Sequence, residues 1–221
     1  MESLHHLSEL DGPRVAVFDA DGVLWRGDVS EDFTRWMIKQ GHFDAALWDS
    51  YEADNQQDMG LGCLSILRFY IGHRLEDLAE HVTEFWRSGG QRQWIESSLQ
   101  AIRWLSNAGF TVYVVSGTPR LVLEPLIQYL PIPGKQILGL ELATDGNNQA
   151  TGQPCGTPTH GPGKATAIRE ATTAPIYLAA GISHIDIEMI ALSSDLHWAI
   201  EPDKQLRSVA ARENWTIIDN P

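Results

Sequence analysis

The stretch Val15-Ala16-Val17-Phe18-Asp19-Ala20-Asp21-Gly22 constrains the chain more than any other, because an apolar run stops abruptly at two carboxylates two residues apart. Val15 to Phe18 are β-branched, small or aromatic and carry no charge, the pattern of a short strand buried on both faces of a parallel sheet. Ligands of open α/β sheets bind beyond the carboxyl ends of strands, so Asp19 and Asp21 stand where a site is expected. A solvated Asp-x-Asp-Gly turn is the plain alternative. A calcium loop is not, because it needs further oxygen ligands and a Glu at its twelfth position, and Leu24, Trp25 and Ser30 follow instead.

Downstream the periodicity changes. Residues 1–13 read as a polar lead-in ending at Gly12-Pro13. Ser30 suits a helix N-cap, with Glu31 and Asp32 in the first turn and Phe33, Trp36 and Met37 at helical spacing up to Gly41. Helical patterns continue over His42–Asp54, Leu61–Ile71 and Leu75–Arg87, with Gly89-Gly90 as a joint, so the block reads as all-helical. Strand and helix then alternate. Trp94 to Ala108 predicts a helix and Phe110 to Val115 a buried strand ending in Ser116-Gly117-Thr118-Pro119. Pro119 suits a first helical position, and Pro125 should kink or restart the apolar stretch in which it sits. Ile137–Leu142 and Ala150-Thr151 flank a hairpin turn at Asp145–Asn148. A loop from Gly152 to Gly163 delivers Lys164 to a helix start; Ile176–Ala180 is a further strand, closed by Gly181 and a helix from Ser183. His197–Ile200 and Trp215–Ile218 read as outer strands, with a helix beginning at Pro202 between them. Strands separated by helices imply a parallel sheet with right-handed crossovers.

The composition bounds the partners. A formal net charge of −13 excludes a nucleic-acid binder, which would need clustered Lys and Arg. An acidic protein that handles phosphate must bring local positive charge, from a metal ion or a few basic residues. No run has signal-peptide or membrane-spanning length, so a cytoplasmic protein without membrane contact is expected. Cys63 and Cys155 are too far apart for a Cys-x-x-Cys site and fit a reducing compartment.

The strand ends suggest a chemistry. A carboxylate attacks a phosphate dianion only if a cation offsets their repulsion, and Asp19 and Asp21 can hold Mg²⁺, which suits one or two carboxylates plus waters and substrate phosphate. Ser116 and Gly117 offer a hydroxyl and an amide to phosphoryl oxygens, and Lys164 a point charge. Of two neighbouring acids one can stay ionised while the other holds a proton, and Asp21 is the candidate proton donor. Singly, each residue has a plainer reading: Ser116 as a cap, Lys164 as a solvated surface residue, Asp186 as a first-turn acid.

At these residues the chain resembles the haloacid dehalogenase-like superfamily in its phosphatase branch, most closely the phosphoserine phosphatase-like subgroup. The matching stretches are Asp19-Ala20-Asp21-Gly22-Val23, Val114-Val115-Ser116-Gly117-Thr118, Gly163-Lys164 and Gly181 to Asp186. The resemblance implies a Rossmann-like core formed by residues 1–27 and 91–221, with an inserted helical cap over residues 28–90. It makes Asp19 the nucleophile of an aspartyl-phosphate mechanism and Asp21 the general acid and then base. Asp19, Asp21 and Asp186 become the Mg²⁺ residues. Asp28 and Arg68 match positions that would meet the ammonium and carboxylate of an amino-acid-like substrate, although a turn residue and a solvated helix face explain them as well. Trp25, Trp36 and Trp48 suggest an aromatic lining for a quaternary ammonium, or simply core.

One position departs from the pattern. Ile182 stands where such phosphatases carry an acid that helps hold Mg²⁺, so weak metal binding is expected. The sequence thus predicts a Mg²⁺-dependent phosphomonoesterase for a small phosphorylated metabolite, monomeric or homodimeric. The alternatives are a phosphate-ligand binding protein with weakened catalysis, and a phosphomutase.

Overall fold

The structure, a computed structural model, describes residues 2–88 and 93–219. Its strands are β1 (Val15–Phe18), β2 (Thr111–Pro119), β3 (Ile137–Thr144), β4 (Ala150–Cys155), β5 (Ile176–Gly181), β6 (Leu196–Ile200) and β7 (Thr216–Ile218). They form one seven-stranded sheet in the order β4-β3-β2-β1-β5-β6-β7. Every neighbouring pair is parallel except the β3–β4 hairpin. The crossover from β1 to β2 carries α1 (Val29–Lys39), α2 (Trp48–Gln57), α3 (Met59–Ser65), α4 (Leu75–Ser88) and α5 (Glu96–Asn107). Beyond β2 come α6 (Arg120–Leu123), α7 (Pro162–Ala171), α8 (Ile187–Ile190) and α9 (Lys204–Arg212). The Rossmann-like parallel sheet expected from the alternation of apolar runs is therefore the observed architecture.

Strand pleating explains why these runs carry almost no polar residue. Successive side chains point to opposite faces, and both faces are covered. Ala16, Phe18, Val112, Val114, Leu178 and Ala180 face one cluster, which continues without a break into Phe33, Tyr70 and Phe85 of the helical segment. Val15, Val17, Tyr113, Val115 and Ala179 face the other, against Ile168 of α7 and Met189 of α8.

Several local expectations shift. The lead-in is not merely polar: Glu2–Glu9 is a 3₁₀-helix whose Leu4 and Leu7 are wholly buried, each worth roughly 1.5–3 kcal/mol of transfer from water. Ser30 is not the cap of α1. Asp28 is, its carboxylate accepting from Glu31 N at 2.9 Å, while Ser30 lies buried in the first turn. β2 does not stop before Ser116 but runs on through Pro119, which sits at the N-cap of α6 rather than inside it. Pro125 acts as expected: α6 ends at Leu123 and a 3₁₀ turn restarts the chain at Glu124. The loop expected from Gly152 is shortened because β4 extends to Cys155. Asp203, not Pro202, begins the last helix, accepting from Leu206 N at 2.7 Å. The expected joint Gly89-Gly90, and with it the boundary between residues 90 and 91, lies outside the described residues.

Candidate active site

β1 lies between β2 and β5, so the chain leaving it at Asp19 emerges among the ends of three strands. Asp19 N–H still pairs with Ala180 O of β5 at 2.9 Å, which fixes the backbone at the point where the sheet ends. The chain then turns tightly, with Leu24 N donating to Ala20 O at 2.8 Å and Gly22 N to Trp25 O at 2.8 Å. Gly22 has φ +73°, and Ile182 Cδ1 stands 2.2 Å from where its Cβ would be, so the turn requires glycine twice over.

Four chain segments bring their side chains to this point. Lys164, in the first turn of α7, is wholly enclosed, its Nζ 2.8 Å from Asp19 Oδ1 and 2.5 Å from Asp186 Oδ1. Two carboxylates share one ammonium, which cannot neutralise both. Burial, helped by the charge of Asp186 and opposed by Lys164, pushes the Asp19 carboxyl up to about 7. Burial works against the Lys164 ammonium, but Asp186 and Asp19 outweigh it and raise its pKa.

Asp186 is tied down on its other oxygen as well. Its Oδ2 accepts from Ile182 N at 2.9 Å, Ser183 N at 3.0 Å and Ser183 Oγ at 3.4 Å, in a capping box that starts the helix after β5. The loop is braced behind by Asp203, which accepts from His184 N and Nδ1, both at 2.8 Å.

Asp21 is held by four donors of two kinds. Its Oδ1 accepts from Trp25 Nε1 at 2.8 Å and Val29 N at 2.7 Å; its Oδ2 accepts from Thr118 Oγ1 at 2.7 Å and Ser116 Oγ at 3.4 Å. Burial raises its pKa against the pull of these bonds. Ser116 and Thr118 reach the same oxygen because residues two apart on a strand share a face. The same period is the signal in the sequence that could have added Thr118 to Ser116. Trp25, four residues beyond Asp21, has no comparable signal.

A cavity of about 120 Å³ opens over these groups. Asp19, Asp21, Ser116, Gly117, Thr118, Lys164 and Ile182 line it from the sheet side, and Asp28, Tyr51, Asn55, Cys63 and Ile66 from the helical side. Asp28 is open to solvent there, yet the protein around it and the charge of Asp21 raise its pKa well above the carboxylate norm. Arg68 is not in the lining: it is bound to Asp54 and to Ser65 O within the helical segment. Nor do Trp25, Trp36 or Trp48 line it. Trp25 is buried against Trp86 and Trp94, Trp36 stacks on Phe33, and Trp48 packs on Tyr51 under Arg35.

A parallel sheet that gathers paired carboxylates, a buried lysine and two hydroxyls at its strand ends defines a Rossmann-like hydrolase. The chain belongs to the haloacid dehalogenase-like hydrolase family, whose model matches residues 16–195. It is 26% identical over 227 residues to a histidinol-phosphatase of Neisseria meningitidis, covering 93% of this chain and 98% of that protein. It is 25% identical to a phosphoserine phosphatase of Mycobacterium tuberculosis, covering 95% of this chain and 72% of that one. In fold it is similar to a protein of unknown function from Bordetella pertussis Tohama I, with TM-score 0.82 at 18% identity over 95% of this chain and 99% of that one. It is similar too to phosphoserine phosphatase in its apo form, with TM-score 0.65 at 16% identity over 95% and 94%. Among the described residues no helix is long and apolar enough to cross a membrane.

Phosphatases of this family generally use a divalent metal. Among the described residues no three His, Cys, Asp or Glu side chains converge as ligands for one. Asp186 is engaged by Lys164 and two amides, the carboxylate of Asp21 by four donors, and Ile182 presents carbon. Asp19 Oδ2 is the oxygen with no hydrogen-bond partner among the described residues. This donor set fits a hard ion that keeps most of its waters and takes its remaining oxygens from main chain and phosphate, as Mg²⁺ does.

Proposed function

We propose that the chain is a Mg²⁺-dependent phosphomonoesterase that transfers the phosphoryl group of a small metabolite to Asp19 and then to water, in the cytoplasm. The observation that carries the reading is the Lys164 ammonium between Asp19 at 2.8 Å and Asp186 at 2.5 Å, two residues along the chain from a second, hydroxyl-bonded carboxylate, Asp21. With Oδ1 held by Lys164 and by Ala20 N at 2.8 Å, Asp19 Oδ2 is the oxygen left to attack phosphorus. The new P–O bond forms as the ester P–O bond breaks, and the departing alkoxide takes a proton from Asp21.

That proton belongs on Asp21 Oδ2. Oδ1 faces two N–H groups, which only donate, whereas the hydroxyls of Thr118 and Ser116 can rotate to accept. In the second half Asp21 takes a proton from water as it attacks the acyl phosphate, and phosphate leaves Asp19. Ser116, Gly117 and Lys164 supply donors to the phosphoryl oxygens. Mg²⁺, held by Asp19 and main-chain oxygen beside Asp21, would supply the charge that lets carboxylate and phosphate approach. The helical segment, which lines the cavity opposite the strand ends, acts as the cap that limits water.

The relatives named for phosphoserine and histidinol phosphate support a small phosphorylated substrate carrying a nitrogen. Ile182 favours a second reading, a phosphate-binding protein with weakened turnover. Trapping the phospho-enzyme separates the two: acid quenching during turnover of p-nitrophenyl phosphate should leave label on wild type and none on Asp19→Asn. Absence of label and of turnover at saturating Mg²⁺, with phosphate still raising Tm, would establish the binding protein.

A further inference from the structure

The charges around the cavity are unbalanced. Its ionisable lining comprises the carboxylates of Asp19, Asp21 and Asp28, one thiol, one phenol, and a single cation, Lys164, that is already bound to Asp19 and Asp186. Lys164 sits with the groups that meet the phosphoryl end. On the helical side, where the rest of a substrate must lie, the lining has one charged side chain, Asp28, and no basic one. The nearby arginine, Arg68, is turned to Asp54 and Ser65 O instead. Asp28 commits Oδ1 to the cap of α1. Ser30, beside it in the lining, keeps a buried hydroxyl that has no hydrogen-bond partner among the described residues.

We propose that the site selects the phosphate ester of a small amino alcohol, whose leaving group carries an ammonium toward Asp28 and Ser30 and bears no carboxylate. The inference rests on the phosphomonoesterase reading and narrows it. An ammonium brings three donors and a positive charge to a carboxylate and a free hydroxyl, which supply both acceptors and the opposite charge. A carboxylate in the same place would meet Asp28 and Asp21 with no cation to answer it, and would leave its oxygens without donors. The space also limits size, since about 120 Å³ has to hold the phosphoryl group as well.

The test compares three esters that differ by one group: O-phosphoethanolamine, O-phosphoserine, which adds a carboxylate, and 2-hydroxyethyl phosphate, which replaces the ammonium by a neutral hydroxyl. p-Nitrophenyl phosphate serves as a general reporter of turnover. The expected order in kcat/KM places phosphoethanolamine about 100-fold above phosphoserine and about tenfold above the hydroxyethyl ester. Asp28→Asn should collapse the preference for the ammonium over the hydroxyl ester. Phosphoserine hydrolysed as well as phosphoethanolamine, or the neutral ester hydrolysed as well as the amine, overturns this proposal and leaves the phosphatase reading standing. No turnover of any ester, the nitrophenyl one included, overturns both.

Discussion

Ile182→Asp is the most informative single change, because it alters the metal chemistry of the site while leaving its backbone bonds alone. Ile182 N donates to Asp186 Oδ2 at 2.9 Å whatever the side chain. The Ile side chain lines the cavity and packs on the Gly22 turn, with Cδ1 2.2 Å from the position a Gly22 Cβ would take. It is only partly buried, so losing that contact costs less than the roughly 1.5–3 kcal/mol of a fully buried side chain, or about 1 kcal/mol. Without metal the new carboxylate adds a like charge to Asp19 and Asp21. At this chain length each kcal/mol lowers Tm by about 2–4 °C, so the variant in EDTA should melt a few degrees below wild type. A third carboxylate near Asp19 should tighten Mg²⁺ by about 10–100-fold, or about 1.4–2.7 kcal/mol. Titrating Mg²⁺ by calorimetry in the presence of phosphate, and following Tm alongside, measures both terms. Mg²⁺ should restore the Tm of the variant and barely move that of wild type. If half-saturation is the same in both, or if Mg²⁺ leaves the Tm deficit unchanged, the donor-set reasoning fails.

The roles of the two acids separate by leaving group: Asp21→Asn should slow alkyl esters far more than nitrophenyl phosphate, which needs little protonation, and equal losses in kcat would count against Asp21 as proton donor. Because Asp19 attacks only when ionised and its carboxyl sits at about 7, kcat/KM should rise as pH increases through neutrality. This limb is distinguishable from the substrate's own ionisation at about 6. Asp186→Asn removes one of the charges that raise Asp19 and should move the limb to lower pH; a limb that stays in place contradicts that electrostatic account. Gly117→Ala would place a Cβ 2.8 Å from Cys63 Sγ of α3 and should cost about 1–3 kcal/mol in denaturant unfolding. Cys63→Ala in the same chain should recover most of that loss, and additive losses would show that the two segments do not meet there.

What the sequence determines by itself is the framework: the buried strands, the helical stretch between the first two of them, and the acids at the strand ends. Those features are written in short-range periodicity, since a two-faced strand admits no polar residue until it ends, and Asp19 is where β1 ends. Local chemistry fails first at caps and boundaries. Ser30 and Asp28 both suit an N-cap, and the choice went to Asp28 because Val29 N is bound to Asp21 across the turn, which starts the helix one residue earlier. Ser116 and Thr118 look like a loop beside Pro119, but β3 pairs with β2 as far as Pro119 and keeps them extended.

Pairings between segments distant in sequence are decided only by the tertiary structure. Arg68 is a free cation in the sequence and half of an ion pair with Asp54 in the fold, on the far side of a helical turn from the cavity. Leu4 and Leu7 read as part of a polar tail until the sheet offers them a surface to cover. Thr118 and Trp25 fix the general-acid candidate Asp21 through bonds that only the closing of the chain around β1 creates, and Lys164 meets Asp19 and Asp186 across three strand ends. Periodicity is a property of neighbours along the chain, whereas the partner of a charge or a hydroxyl is whichever group the packing of the whole sheet brings within about 3 Å.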